Sequence, residues 1–399
     1  MSFFDQVAQH PPDPIFGLQA AFRLDKRPTK VDLSVGVYKT EEGNTPIMGA
    51  VKKAEKAIFE SEKSKEYLPP DGDKKFLEQV GVLTFGAEWW KKSSSRVHAA
   101  QTIGGTGGLR LGGDFLKQEI GDTIYISDPT WPNHRGVFTR CGLKVIEYPY
   151  YDPVKRELDF AQFYNFLSKL PEKSIILLQT CCHNPTGADL NFEQWKKLSH
   201  LFFERNFFPF FDCAYQGFDR SMEEDVQPIR LFAESGHALF AALSYSKNFS
   251  LYGERVGALF SVASSEKIAE NVASKIKNII RQNYSNPPRH GAAIVSTILQ
   301  TPDLRREWEK ELGEMRTRIN QMRKQFADAL VSQATKNDFS FLEDCIGLFS
   351  FCGLHKEQVA RLIEEFGIYM TGDGRVNIAG LNQRNLDYVV QAIIKVSEE

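Results

Sequence analysis

No apolar run in this 399-residue chain comes near the roughly 20 residues that a bilayer-spanning helix requires; stretches such as Ser174 to Leu178 are far too short. The opening residues, MSFFDQVAQHPPDP, have no basic segment leading into an apolar one, so no secretory leader is expected. An excess of one charge is also missing. Lys and Arg number 49 against 51 Asp and Glu, for a formal net charge of -2, and no block of like charges forms a tail. Nothing in that balance attracts nucleic acid or an anionic membrane. Cysteine is sparse: Cys141, Cys181, Cys182, Cys213, Cys345 and Cys352 show no C-x-x-C spacing, and a vicinal pair such as Cys181-Cys182 rarely bridges. Buried free thiols, no metal and a cytoplasmic location follow as expectations. Internal repeats and low-complexity segments are absent.

What remains is an ordinary globular composition, 42% hydrophobic and 25% charged, long enough for one large core and a smaller one. Small molecules are the expected partners. From Val97 to Val262 short apolar runs alternate with amphipathic stretches: Val97 to Ile103, Thr123 to Ser127, Leu143 to Tyr148, Ser174 to Cys181, Phe207 to Cys213, Leu239 to Ser246 and Val256 to Val262. That rhythm predicts an α/β fold with a mostly parallel seven-stranded sheet between helices and a ligand crevice beyond the carboxyl ends of the strands. The last two runs are separated mainly by a polar loop, so an antiparallel edge strand is expected. Asp303 to Ser332 reads as one long helix, with Trp308, Leu312, Met315, Ile319, Met322, Phe326 and Leu330 at helical spacing. A compact α+β unit follows: a strand over Ile346 to Cys352, a helix over Lys356 to Phe366, a strand over Val376 to Ala379 and a helix over Gln383 to Ser397. The proline cluster from Pro11 to Pro14 and the extended Val31 to Val37 make the first segment an arm that docks on this unit. The expected division is residues 1–45 (arm and part of a small domain), 46–302 (large domain), and 303–399 (linking helix and small domain).

The strand ends carry the chemistry. Lys247, in Ser244-Tyr245-Ser246-Lys247-Asn248-Phe249, follows an apolar run; an ammonium there is costly to desolvate, so its amine becomes available to a carbonyl as a Schiff-base lysine. The plain alternative is a side chain that snorkels to water. Gly104-Gly105-Thr106-Gly107-Gly108 sits between a strand and a helix, where backbone N–H groups can cradle phosphate, or where glycine merely solves a packing problem. It is neither G-x-G-x-x-G nor a Walker loop. Asp212, after Pro209-Phe210-Phe211, is either a helix N-cap or a carboxylate awaiting a cation such as a protonated pyridine nitrogen. Asn184, in His183-Asn184-Pro185-Thr186-Gly187, can donate into the crevice, and Trp131 can stack on a flat ring. Arg255, Arg281 and Arg375 suit phosphate and carboxylate, since guanidinium offers two parallel hydrogen bonds.

Together Gly105-Thr106, Trp131, His183 to Gly187, Asp212 with Tyr215, Ser244-x-x-Lys247, Arg255 and Arg375-Val376-Asn377-Ile378-Ala379-Gly380 resemble the class I, fold-type I pyridoxal-phosphate aminotransferases, and within them the aspartate and aromatic subgroup. The likeness runs from Asp13-Pro14-Ile15 through the last helix in the same order and at approximately the same spacing. It implies a large pyridoxal 5'-phosphate domain and a smaller α+β domain from both chain ends. It implies Lys247 as the Schiff-base and proton-shuttling residue, Asp212 on the pyridine nitrogen, Tyr215 and Asn184 on the phenolic oxygen, and Trp131 on the ring face. Gly105, Thr106, Ser244 and Arg255 would hold phosphate. Arg375, assisted by Asn184 and Trp131, would take the substrate α-carboxylate, with the Gly36 backbone close by. Tyr67 and Arg281 would reach into a second subunit's site, which implies a homodimer with shared active sites.

The activity implied is ping-pong transfer of an amino group between L-aspartate and 2-oxoglutarate. Val37, Lys39, Thr45, Thr106 and Asn286 look like the aspartate type, whereas Gly104 and Ser250 to Arg255 look like aromatic members, so aromatic amino acids are the alternative donors. A non-catalytic binding protein on the same fold is a further alternative, with loss of Lys247 or Asp212 as its sign. Gln179 stands where the family often has histidine, which puts any imidazole contact at that point in doubt.

Overall fold

The computed structural model describes residues 2–9 and 14–398. Residues 11–13 of the expected proline arm lie outside them, and Pro14–Leu24 is a helix. All seven apolar runs become strands of one sheet: β1 (Val97–Ile103), β2 (Thr123–Asp128), β3 (Lys144–Pro149), β4 (Ile175–Gln179), β5 (Phe208–Cys213), β6 (Leu239–Ser244) and β7 (Val256–Val262). Their order across the sheet is β1-β7-β6-β5-β4-β2-β3, with only β7 antiparallel to its neighbours. The antiparallel strand is therefore not at the edge, as the sequence suggested, but second in the sheet. It hydrogen-bonds to both β1 and β6, which satisfies the backbone groups on both of its sides.

Strands buried on both faces read as unbroken apolar runs, and β4 shows why. Ile175 and Leu177 join one buried cluster with Leu111, Ile126 and Phe240, while Ile176 and Leu178 join the other with Phe211, Phe232 and Phe260. Each such side chain contributes roughly 1.5–3 kcal/mol through removal from water. Gly257 on β7 has no room for more than hydrogen, because a Cβ there would stand 2.5 Å from the carbonyl carbon of Gly104 and 2.7 Å from the Leu243 oxygen.

The long helix spans Pro302–Gln333, with all seven predicted apolar positions buried. Beyond it, the expected strand over 346–352 shrinks to Phe349–Phe351, which pairs antiparallel with Arg375–Asn377. Lys356–Phe366 and Leu386–Glu398 are helices. Of the extended 31–37 segment, only Val31–Asp32 is strand, paired parallel with Ile368–Tyr369, so the two chain ends meet there. No helix among the described residues is long and apolar enough to cross a membrane.

Candidate active site

The carboxyl ends of β1, β2, β4, β5 and β6 open into one cavity of about 240 Å³. Its lining contains Gly36, Gly105, Thr106, Trp131, Asn184, Asp212, Tyr215, Ser244, Lys247, Arg255 and Arg375. Tyr67 and Arg281 are not part of it. Tyr67 is 91% exposed, and Arg281 is an exposed side chain that donates to the Ser285 hydroxyl.

Lys247 comes three residues after β6, in a turn closed by Ser250 N–H on the Lys247 carbonyl at 3.0 Å. Phe249, fully buried, stacks on the Trp308 indole at 4.3 Å, and the indole N–H donates to the Asn248 carbonyl at 2.7 Å. The residues that follow the lysine are thus anchored while its own side chain enters the cavity, with Nζ 4.7 Å from the Tyr215 ring centre. Burial pulls the amine from 10.5 down to about 8; Asp212 opposes the fall and Arg255 adds to it.

Opposite the lysine, the helix Gly104–Glu119 points its amino end at the cavity. Gly104 has φ +66° and lies under Arg255, whose Nη2 would be 2.5 Å from a Cβ at that position. Arg255 donates from Nη1 to the Ser246 hydroxyl at 3.2 Å, and Ser244 and Ser246 hydroxyls are 3.2 Å apart. Hydroxyls, glycine backbone, a helix amino end and one guanidinium form a donor set suited to a phosphate monoester.

Asp212 is inside β5 rather than at a helix start, so the N-cap alternative does not hold. Its Oδ2 meets His134 Nε2 at 2.9 Å, and His134 Nδ1 meets the Thr130 hydroxyl at 2.8 Å. Trp131 stands edge-on to His134 at 5.2 Å. Asn184 joins two groups: its Nδ2 reaches the Tyr215 hydroxyl at 3.5 Å and its Oδ1 accepts from Arg375 Nη1 at 3.1 Å. Burial raises the Tyr215 phenol above its ordinary value, with Arg375 acting against the rise.

Arg375 is buried, donates from Nη2 to the Ser34 carbonyl at 2.8 Å, and lies 4.1 Å over the Phe349 ring. Its Nε has no partner, and among the described residues no carboxylate is within salt-bridge distance. Burial lowers its affinity for the proton, which fits a cation waiting for an anionic ligand.

Sequence reasoning missed His134, Ser246, Tyr252 and Phe349. His134 lies in the first turn of the helix Asn133–Arg140, and nothing local in the sequence directs it to Asp212, 78 positions away. Tyr252 lines the cavity and accepts the Tyr38 N–H at 2.9 Å, a contact no local pattern reveals. Gln179, noted only as a departure, lines the cavity too. Its Oε1 accepts the Asn184 N–H at 2.9 Å and its Nε2 donates to the Asn184 carbonyl at 3.0 Å. At this point the side chain bonds the Asn184 backbone through an amide, with no imidazole present.

Residues 28–393 match the family model described as aminotransferase class I and II. An aspartate aminotransferase of Pseudomonas aeruginosa is 47% identical over 397 residues, covering 99% of this chain and 100% of the relative. Among solved structures, an aromatic-amino-acid aminotransferase from Burkholderia pseudomallei, covalently bound to pyridoxal phosphate, superposes with a TM-score of 0.96 at 46% identity, covering 99% of this chain and 100% of its own. A psychrophilic aromatic amino acid aminotransferase from Psychrobacter sp. B6, crystallised with aspartic acid, gives 0.96 at 38% identity with all of both chains covered. With the family match, the sequence likeness and the structural superposition each running over nearly its whole length, this chain belongs to the class I and II aminotransferases.

Proposed function

We propose that this chain is a pyridoxal-phosphate-dependent transaminase that moves an amino group between L-aspartate and 2-oxoglutarate by a ping-pong route. The observation that carries the reading is one cavity holding both a lysine amine pulled down to about 8 and a buried arginine with no carboxylate partner. The first suits covalent attachment to a carbonyl cofactor, and the second suits the α-carboxylate of an amino acid. When bound, pyridoxal phosphate supplies an electron-withdrawing ring that makes the hydrogen on an amino acid's α-carbon acidic.

In this reading Lys247 holds the cofactor and, as a neutral amine, moves the α-proton. Asp212, steadied by His134, would pair with the ring nitrogen; Tyr215 and Asn184 would bond the phenolic oxygen; Trp131 would cover the ring. Gly105, Thr106, Ser244 and Arg255 take the phosphate. Arg375 takes the α-carboxylate, with Asn184 as its partner and the Gly36 backbone alongside. The exposed Tyr67 and Arg281 serve a second copy's cavity, Tyr67 toward the cofactor phosphate and Arg281 toward the substrate's side-chain carboxylate, so the working unit is a homodimer. The meeting of both chain ends at Val31–Asp32 and Ile368–Tyr369 supports a small domain of residues 1–45 and 303–399 set against a large one of 46–302. Six free, buried cysteines fit a cytoplasmic location.

Aromatic amino acids are second donors in this proposal, because two solved relatives named for them share the fold throughout. Lys247 and Asp212 sharing the cavity speaks against a binding protein without activity. The test is a panel of amino acids against 2-oxoglutarate with purified, cofactor-loaded protein. Aspartate should be a good donor, and Lys247→Ala should lower turnover by at least about 100- to 10,000-fold. Transfer from neither aspartate nor any aromatic amino acid would refute the proposal.

A further inference from the structure

Strand β1 is one edge of the sheet, and Gln101 lies buried on it. A bare edge would leave backbone groups on that side without partners. Two segments distant in sequence supply them. The Gln101 N–H donates to the Asp71 carbonyl at 2.9 Å, and its carbonyl accepts the Tyr284 hydroxyl at 3.4 Å. The side chain repeats the arrangement: Oε1 accepts the Asp73 N–H at 3.1 Å, and Nε2 donates to the Pro288 carbonyl at 2.6 Å. An amide suits this place because the N–H of Asp73 requires an acceptor and the carbonyl of Pro288 requires a donor. Gly72 lets the first segment lie this close, since at its φ of +93° a Cβ would stand 2.3 Å from the Gln101 Cβ. Two struts then tie the segments to each other: Arg289 Nη2 donates to the Glu66 carbonyl at 3.0 Å, and Lys277 Nζ is 2.9 Å from Asp71 Oδ2.

These segments adjoin the two residues that lie outside the cavity. Tyr67 directly follows Glu66, and Arg281, in the last turn of the helix Glu266–Asn283, comes just before Tyr284. We infer that Gln101 is a positioning residue: it fixes the Tyr67 and Arg281 segments relative to each other, and so governs from one chain how the other chain's cavity receives a substrate's side-chain carboxylate. The consequence rests on the proposed reach of Tyr67 and Arg281 into a second copy's site; the brace itself does not. Gln101 is not part of the cavity lining, so its loss should weaken the hold on dicarboxylic substrates and leave the work of Lys247 in place.

The first measurement is hydrogen exchange of the cofactor-loaded protein, read by mass spectrometry. Gln101→Met keeps the length of the side chain and removes its donor and acceptor. Peptides covering residues 66–73 and 284–289 should exchange faster together, with those of Pro302–Gln333 unchanged. Faster exchange in one segment alone, in neither, or uniformly across the molecule overturns the inference, the last because it marks a merely structural role. Gln101→Asn, with both polar groups on a shorter stem, takes its place if Gln101→Met does not fold.

The second measurement locates the effect by reassorting chains through reversible dissociation. Each pairing joins a Lys247→Ala chain to an Arg281→Ala chain, so the working cavity belongs to the second and its Arg281 comes from the first. Placed on the Lys247→Ala chain, Gln101→Met should raise KM for aspartate about tenfold and leave kcat within about twofold. Placed on the Arg281→Ala chain, it should change neither. An effect that instead follows the Arg281→Ala chain would mean that Gln101 acts on its own cavity, through the Gly104 turn after the same strand, and overturns the inference, as does no effect in either pairing. The pairing without Gln101→Met separates the failures. No recovery of activity there overturns the shared-site reading and this consequence with it, whereas recovery there with no effect of Gln101→Met overturns the role of Gln101 alone.

Discussion

Lys247 sits where two opposite influences meet, and the balance is measurable. Burial lowers its amine to about 8, Asp212 resists and Arg255 assists. An ordinary lysine is neutral in only roughly one molecule in 300 at about pH 8, whereas this one is about half neutral. Labelling of cofactor-free protein by an amine reagent, followed at the Lys247 peptide by mass spectrometry, should therefore rise with pH and level off above a midpoint near about 8. Asp212→Asn removes the charge that holds the amine up and should move that midpoint lower still. A midpoint near the ordinary lysine value of 10.5 would show that the amine is not desolvated. The sign for stability is linked: between about 8 and 10.5 the unfolded chain holds a proton the folded chain has released, so this group favours folding increasingly as pH rises through that window.

At the scale of elements, the lysine turn depends on a helix distant in sequence. Trp308, near the start of Pro302–Gln333, gives its indole N–H to Asn248 and its face to Phe249. Trp308→Phe keeps the stacked ring but leaves a buried carbonyl without its donor. It should destabilise the fold by about 1–3 kcal/mol, read as a lower urea midpoint at unchanged slope. Trp308→Leu also loses the stack and should cost more. Trp308 was legible as a helix-face residue, because 3.6-residue spacing announces burial, but its hydrogen bond was not. The same division runs through the molecule. The strands were readable because sheets covered on both faces demand unbroken apolar runs, as in Ile175 to Leu178. Strand direction was only half readable, since a polar loop after β6 indicates reversal without saying that β7 enters between β6 and β1. The cavity residues at strand ends were visible as polar groups closing apolar runs. His134 was not, because its contact with Asp212 joins positions 78 apart and leaves no local trace.

The whole molecule poses the last question, because two residues assigned to the site lie outside its cavity. Tyr67 is 91% exposed, and Arg281 is exposed on the helix Glu266–Asn283, where it donates to the nearby Ser285 hydroxyl. If they complete a second copy's site, the two halves of one working site come from different chains. Arg281→Ala should then weaken dicarboxylic substrates by about 2–5 kcal/mol while sparing aromatic ones, since a substrate carboxylate loses its charged partner. Lys247→Ala should be inactive with both. Mixing these two variants after reversible dissociation decides the geometry. A hybrid pairs one chain that lacks Lys247 but keeps Arg281 with one that lacks Arg281 but keeps Lys247. Shared sites would make one of the hybrid's two sites complete, so random reassortment should restore roughly a quarter of wild-type activity on aspartate. Were Arg281 to act within its own chain, no hybrid site would hold both residues, and the mixture would show no more than the sum of its parents. Activity rising with time of mixing, and only for dicarboxylic substrates, is the expected result.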